Sequence, residues 1–310
     1  MNRTSDIRIS VCVNTYNQVG YIEQTLQSIL SQKTDFFFDI VVHDDCSTDG
    51  TALLLKNYEK QYPNKLKCIL QTRNQFSINP HLPFINCWSQ ARGEFIALCE
   101  GDDYWIDEYK LQKQFDQIKS TDTDISFTNA IKVDAKGNVT PFYDKEYKST
   151  GVVGVLDLLK RGGGAMPTAS ILVKRDILQD LPDWFLSAPV GDYFVQLLGA
   201  AKKGASYLCD VTTAYRVEAE ASWSQSRARF TESDILDLAE KYVSTFKAME
   251  LKNIDLKYIN YALSKELFQL AVVSYKNDYR NLAKALIDRS WMYYRFISAK
   301  QFALYVILKF

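Results

Sequence analysis

Glu94-Phe95-Ile96-Ala97-Leu98-Cys99-Glu100-Gly101-Asp102-Asp103 decides the fold. After its first residue the segment Glu94–Cys99 is unbroken apolar chain, and it then turns abruptly acidic. A short apolar run of this kind reads as a strand buried on both faces, as in a parallel sheet. The same switch occurs three times upstream. The strand Ile7–Val13 delivers Asn14-Thr15-Tyr16-Asn17, Asp39–His43 delivers Asp44-Asp45, and Leu66–Gln71 delivers Thr72-Arg73-Asn74. Helical segments lie between them: Gly20–Gln32 with Ile22, Leu26 and Ile29 at helical spacing, Asp49–Gln61 with Ser47 or Asp49 as its cap, and Pro83–Ala91. Four such units in sequence predict an α/β fold with a parallel, doubly wound sheet and right-handed crossovers.

Further along, Ile106–Lys119 reads as a helix. Asp124–Val133 and Val139–Phe142, joined by Asp134-Ala135-Lys136-Gly137-Asn138, read as a hairpin. The glycine run Gly162–Gly164 precedes a strand expected over Ala169–Val173. A helix over Asp192–Ala201 leads into a strand over Ala205–Val217. From Thr231 onward the pattern is helical, opened by a capping box in Thr231-Glu232-Ser233-Asp234 and free of Gly and Pro to the end. The expected division is an α/β catalytic domain over residues 1–228 and a helical C-terminal region over residues 229–310.

Composition narrows the chemistry. The 310 residues carry 37 basic and 37 acidic side chains, a balance that argues against a nucleic-acid binder, which needs a basic excess. With only His43 and His81 present, no multi-histidine zinc site can form. The six cysteines occur singly, several inside apolar strands, which favours a reduced, cytoplasmic setting over a disulfide framework. No apolar signal core and no run long enough to span a bilayer is apparent.

In an open parallel sheet, ligands bind beyond the carboxyl ends of the strands. Here those ends carry five carboxylates, Asp44, Asp45, Glu100, Asp102 and Asp103. Like charges gathered this closely repel unless a proton or cation intervenes. A hard divalent ion, Mn²⁺ or Mg²⁺, takes oxygen ligands and bridges to phosphates, so the edge reads as a site for a metal–nucleotide diphosphate, with Arg73 available to a phosphate or an aspartate. Competing nucleotide motifs fail. No GxGxxG follows the first strand, and the P-loop lookalike at Gly199–Ser206 has Ala205 where a lysine is required.

Three stretches, VCVNTYNQVGYIEQTLQSILSQ (residues 11–32), IVVHDDCSTDGT (40–51) and ARGEFIALCEGDDYW (91–105), resemble the inverting glycosyltransferase family 2 on the GT-A fold, a Rossmann-like, mainly parallel sheet flanked by helices. The similarity runs over about residues 7–217, is densest in the first 110, and leaves the helical C-terminus uncovered. It implies that Asn14, Tyr16 and Asp45 hold the nucleoside, that Asp102 lies near the donor ribose or sugar, and that Asp103 is the metal ligand. It also implies that Asp192, in Val190-Gly191-Asp192-Tyr193, is the general base that deprotonates the acceptor hydroxyl. Arg73 and Arg216 would assist the departing diphosphate. Two departures stand out: Glu100 occupies a position where aspartate is common, and no histidine follows the last core strand. The second leaves phosphate closure to Arg216, Arg227 or Arg229 around Ser222-Trp223-Ser224.

Plainer roles compete for several of these residues. Asp44-Asp45 could form only a polar turn, Asp192 only a helix cap, Arg73 a surface charge, and Tyr16 a packing ring. Trp88 and His43 read as structural, and Trp105 is compatible with packing or with a sugar platform. From Lys276 to Phe310 there are seven Lys/Arg against two Asp/Glu, interleaved with aromatic residues. That pattern suits peripheral membrane contact at the inner face of the cell membrane, packing on the core, or a homodimer. The expected function is metal-dependent, inverting transfer of a sugar from a nucleotide-diphospho-sugar, a UDP-sugar in the first instance, to a glycan or lipid-linked acceptor in bacterial surface-polysaccharide assembly. The rivals are a nucleotidyltransferase that makes the nucleotide sugar, and a catalytically silent binding module.

Overall fold

The computed structural model describes residues 7–142, 147, 149–217, 230–249 and 254–309. Strands β1 (Ile7–Thr15), β2 (Phe37–Asp44), β3 (Leu66–Leu70) and β4 (Phe95–Glu100) alternate with helices α1 (Ile22–Leu30), α2 (Thr51–Gln61) and α3 (Leu82–Trp88). They pair in the parallel order β3-β2-β1-β4, as the repeated strand–helix pattern requires. The interior of β1 and nearly all of β2 are buried, which explains why their sequences run apolar rather than alternating. Ile22, Leu26 and Ile29 of α1 pack into the core with Val11, Val13, Ile40 and Val42. Gly93 lets the turn into β4 lie against β1: a Cβ there would sit 2.5 Å from the Ser10 nitrogen.

Beyond β4 the sheet becomes mixed. The short β5 (Tyr104–Trp105) pairs antiparallel with β10 (Ala205–Arg216), which runs parallel to β6 (Ile125–Val133) and antiparallel to the short β8 (Gly151–Val153). The hairpin of β6 with β7 (Val139–Phe142) forms as expected, with the Asp134 carboxylate accepting from the Lys136 and Asn138 amides and Gly137 at a φ of 80°. Two sequence expectations are corrected. The helix expected over Ile106–Lys119 begins only at Lys110 (α4, Lys110–Thr121), because the Ile106 amide is spent on Thr212 O, extending the β5–β10 pairing. The strand expected over Ala169–Val173 begins as a 3-10 turn, Thr168–Ser170, and only Leu172–Lys174 (β9) is extended, antiparallel to both β4 and β6.

Two compact units divide the chain. The first, residues 1–154, 166–181 and 198–222, contains the sheet; the second is residues 155–165, 182–197 and 223–310. The second unit holds α5 (Val155–Arg161), the start of α7 (Gly191–Ala200) and four terminal helices: α8 (Glu232–Ala248), α9 (Leu256–Lys276), α10 (Arg280–Tyr293) and α11 (Ala299–Lys309). The Thr231–Asp234 capping box opens α8 as the sequence predicts. Lys265 of α9 donates to the Lys160 and Arg161 carbonyls at the end of α5, which binds that short helix to the terminal bundle. The expected boundary at residues 228/229 lies outside the described residues. All six cysteines are free, and among the described residues no helix is long and apolar enough to cross a membrane.

Candidate active site

The loops after β1 and β2 are lashed together. Asn17, at a left-handed φ of 51°, donates its amide to Ser47 Oγ at 2.8 Å and accepts the Thr48 amide on its side chain at 2.8 Å. The Gln18 amide reaches Thr51 Oγ1 at 3.0 Å, and the Val19 amide reaches Asp49 Oδ2 at 2.9 Å. Asp44 is buried and accepts the Ser47 amide and hydroxyl. Asp45, also buried, accepts the Gln75 amide at 2.7 Å on one oxygen and the Phe76 amide at 2.9 Å on the other. Its carboxylate therefore fixes the loop that carries Arg73, which is itself exposed.

The acidic loop is set just as firmly. The Gly101 amide donates to Asn14 O at 2.9 Å, and a Cβ at Gly101 would meet Gln18 Oε1 at 2.5 Å and Thr15 Cβ at 2.7 Å. Thr25 of α1 donates its hydroxyl to Gly101 O and Asp103 O. Asp103 is only 1% exposed. Its Oδ1 accepts the Arg216 amide at 2.9 Å, and its Oδ2 is buried with no hydrogen-bond partner among the described residues. Burial, reinforced by the Glu100 and Asp102 carboxylates, holds the Asp103 carboxyl well above the usual range, against the opposing pull of Arg216. The Asp102 carboxyl is also raised by burial, with Arg216 and a hydrogen bond from Gln18 working against it.

Arg216, at the end of β10, spans this loop. Its guanidinium donates to Asp102 O and to Gln24 Oε1, and it lies 5.0 Å from the Tyr21 ring centroid and 4.7 Å from that of Tyr104. A planar, aromatic-backed cation beside buried carboxylates suits a phosphate oxygen better than a flexible lysine would. The residues also fit a divalent cation. A buried, unpartnered carboxylate oxygen carries a large desolvation cost that a hard cation would relieve. Among the described residues no group of three or more His, Cys, Asp or Glu side chains is arranged to hold a metal.

The structure thus brings Asn14, Asp45, Asp102, Asp103 and Arg216 to the carboxyl edge of one sheet. Asn14 lies in register between His43 and Glu100, and its Oδ1 is likewise buried without a hydrogen-bond partner. Tyr16 is 40% exposed, so its ring is not core packing. Asp192 sits in the first turn of α7, half-buried in the second unit, with its Oδ1 2.7 Å from the Tyr193 amide. Trp105 is a packing residue: it is 4% exposed and donates its indole N–H to Ala169 O at 3.1 Å. Arg227, Arg229 and the Ser222-Trp223-Ser224 loop lie outside the described residues. Sequence reasoning missed Tyr21, Gln24, Thr25 and Tyr104. The spacing of Tyr21, Gln24 and Thr25 on one helical turn was the available signal.

Against known proteins, the sequence model "Glycosyl transferase family 2" matches residues 10–181. The chain belongs to glycosyltransferase family 2. It is 42% identical over 106 residues to the uncharacterised protein Rv1520 of Mycobacterium tuberculosis strain H37Rv, covering 34% of this chain and 30% of that protein. It spans less than a third of that relative's length. It is 27% identical over 182 residues to the putative teichuronic acid biosynthesis glycosyltransferase TuaG of Bacillus subtilis strain 168, covering 54% of this chain and 69% of TuaG. Among solved structures, S. aureus TarS 1–349 in complex with UDP-GlcNAc superposes with a TM-score of 0.68 at 19% identity, covering 98% of this chain and 90% of that one. The fold is the GT-A fold, with helices following the catalytic-type sheet.

Proposed function

We propose that this family 2 member transfers a sugar, with inversion, from a nucleotide-diphospho-sugar to a glycan or lipid-linked acceptor in polysaccharide assembly. The observation that carries the reading is Asp103, buried at the sheet's carboxyl edge with one oxygen unpartnered, beside the ring-backed Arg216. UDP is the favoured nucleotide, supported by the likeness to a TarS structure holding UDP-GlcNAc. Polysaccharide assembly is supported by the likeness to TuaG. A divalent cation, Mn²⁺ or Mg²⁺, held through Asp103 Oδ2 would neutralise the charge that develops on the departing diphosphate.

The chain's own residues do the rest. Tyr16 stacks on the base, while Asn14 and Asp45 shape the nucleoside pocket. Asp102 faces the ribose or the sugar. Arg216 and Arg73 pair with the diphosphate oxygens as negative charge grows on them. Asp192 takes the proton from the acceptor hydroxyl, so that oxygen attacks the anomeric carbon opposite the leaving group. A single carboxylate acting as base, with none acting as nucleophile, corresponds to inversion. With a lipid-linked acceptor, the reaction takes place at the inner face of a cell membrane.

The test is a panel of nucleotide sugars incubated with Mn²⁺, with Mg²⁺ or with EDTA, and assayed for release of nucleoside diphosphate. Metal-dependent diphosphate release from one UDP-sugar supports the reading. Pyrophosphate formation from a nucleoside triphosphate and a sugar phosphate would favour nucleotidyl transfer instead, and no turnover of any donor would favour a binding module.

A further inference from the structure

Helix α11 buries Gln301 with Leu304 and leaves most of its other apolar side chains exposed. Gln301 of α11 is fully buried, and its Nε2 donates to Ser290 Oγ at 2.9 Å, Ser264 Oγ at 3.2 Å and Tyr294 O at 3.2 Å. Its Oε1 accepts the Ile297 amide at 2.9 Å. Ser264 and Ser290 bond to each other and to backbone carbonyls, so this polar knot among α9, α10 and α11 is closed. A satisfied buried network fixes the rotation of the helix it anchors. The outer face of α11 is the apolar one. With about 3.6 residues per turn, Ala299, Phe302, Ala303, Val306 and Ile307 share that face, and Lys300 and Lys309 fall at its two margins.

The apolar surface continues into the preceding turn. Met292 is 84% exposed and Phe296 61%, with Ile307 at 58% on α11. The Phe296 ring lies 6.0 Å from Phe302, which lies 6.0 Å from Trp291, and Trp291 stacks on Tyr305 at 4.7 Å. Contiguous apolar surface rimmed by charge marks an interaction site on a soluble protein. The rim is basic. Residues 276–310 hold seven Lys/Arg against two Asp/Glu, whereas the rest of the chain holds 30 against 35. Asp278 is paired with Arg280 at 2.8 Å and Arg289 with Glu240 of α8 at 2.5 Å, which leaves Arg295, Lys300 and Lys309 as the basic residues the face relies on.

We propose that this face of α10 and α11 docks on an anionic lipid surface. Exposed aromatic and aliphatic side chains flanked by lysines are what a helix lying in the interface plane presents. Phe302, Phe296 and Ile307 enter the headgroup–acyl boundary, while Lys300, Lys309 and Arg295 meet the lipid phosphates. A second copy of the chain suits the face less well, because it would bring two basic rims together.

Flotation of the full chain with phosphatidylcholine vesicles, with and without phosphatidylglycerol, tests this. Binding is expected only to the anionic vesicles and weakens with salt. Lys300→Gln and Lys309→Gln should each lower the vesicle partition coefficient about fivefold. The double variant Phe302→Ser/Ile307→Ser should lower it by at least ~10-fold with an unchanged circular dichroism spectrum. Leu53→Ser, which removes an equally exposed leucine from α2, is the control and should bind as the parent does. Equal binding of the double variant overturns the proposal, as does failure of the parent to float with anionic vesicles. A dimer in sedimentation equilibrium that Phe302→Ser/Ile307→Ser dissociates, with no vesicle binding, assigns the face to a second copy instead.

Discussion

The carboxyl edge of the sheet and the terminal helices break the usual distribution of polarity in opposite ways. At the sheet edge the chain buries charge: Asp44, Asp45 and Asp103 are each no more than 3% exposed, and Asp103 Oδ2 has no partner. In α10 and α11 the chain buries a knot of amide and hydroxyl groups beside Leu286, Ile287 and Leu304, and turns Met292, Phe302 and Ile307 outward. Both regions are rigidly held, so neither reversal follows from loose packing. We propose that the first region takes a small cation, which would relieve an under-coordinated buried carboxylate, and the second an extended anionic surface that suits an apolar face with a basic rim.

The two regions should therefore separate under mutation. Asp192→Asn should show the largest effect, lowering kcat by about 10²–10⁴-fold with donor affinity nearly unchanged, as removal of a general base requires. A comparable rise in KM for the donor would break that assignment. Arg216→Ala should come next, raising donor KM by roughly 10–100-fold while the retained backbone amide still holds Asp103. Arg216→Lys should not restore it, since the rings of Tyr21 and Tyr104 back a planar guanidinium. Neither variant should change vesicle flotation; if either does, the two regions are not independent.

The smallest effect concerns Lys110, fully buried over the Trp105 ring at 4.3 Å and bonded to Gln114 Oε1 at 2.6 Å. Burial pushes its ammonium down to about 7, well below its value in the unfolded chain. Between that pH and about 10 the unfolded chain binds the extra proton, so the group's contribution to stability rises with pH across this window and is lost as pH falls through 7. Lys110→Met should flatten that rise. Thermal unfolding at pH 7 and pH 9 should show the parent gaining more than the variant; identical slopes would contradict a buried, proton-poor lysine.

Much of the sheet edge was legible because the information is local. Each strand states its burial by an apolar run and its end by a polar cluster, so β1 to β4 and the residues Asn14, Asp45, Asp102 and Asp103 follow from position alone. What was not legible depends on distant partners. Tyr21 and Tyr104 flank an arginine more than a hundred residues downstream, and no local pattern announces that. The antiparallel insertion of β9 between β4 and β6 depends equally on long-range pairing, as does the grouping of residues 155–165 and 182–197 with the terminal helices. In α11 the sequence showed basic and aromatic residues but not which face was buried, because the deciding residue, Gln301, is polar.

Asp103 is proposed to couple donor binding to a divalent cation. Calorimetric titration of UDP into the full chain, with Mn²⁺ and with EDTA, measures that coupling directly. For the parent, Mn²⁺ should tighten UDP binding by at least ~10-fold. Asp103→Asn should erase the difference and bind UDP as the parent does in EDTA, with a circular dichroism spectrum unchanged from the parent's. Retention of the full Mn²⁺ enhancement by Asp103→Asn would contradict the claim.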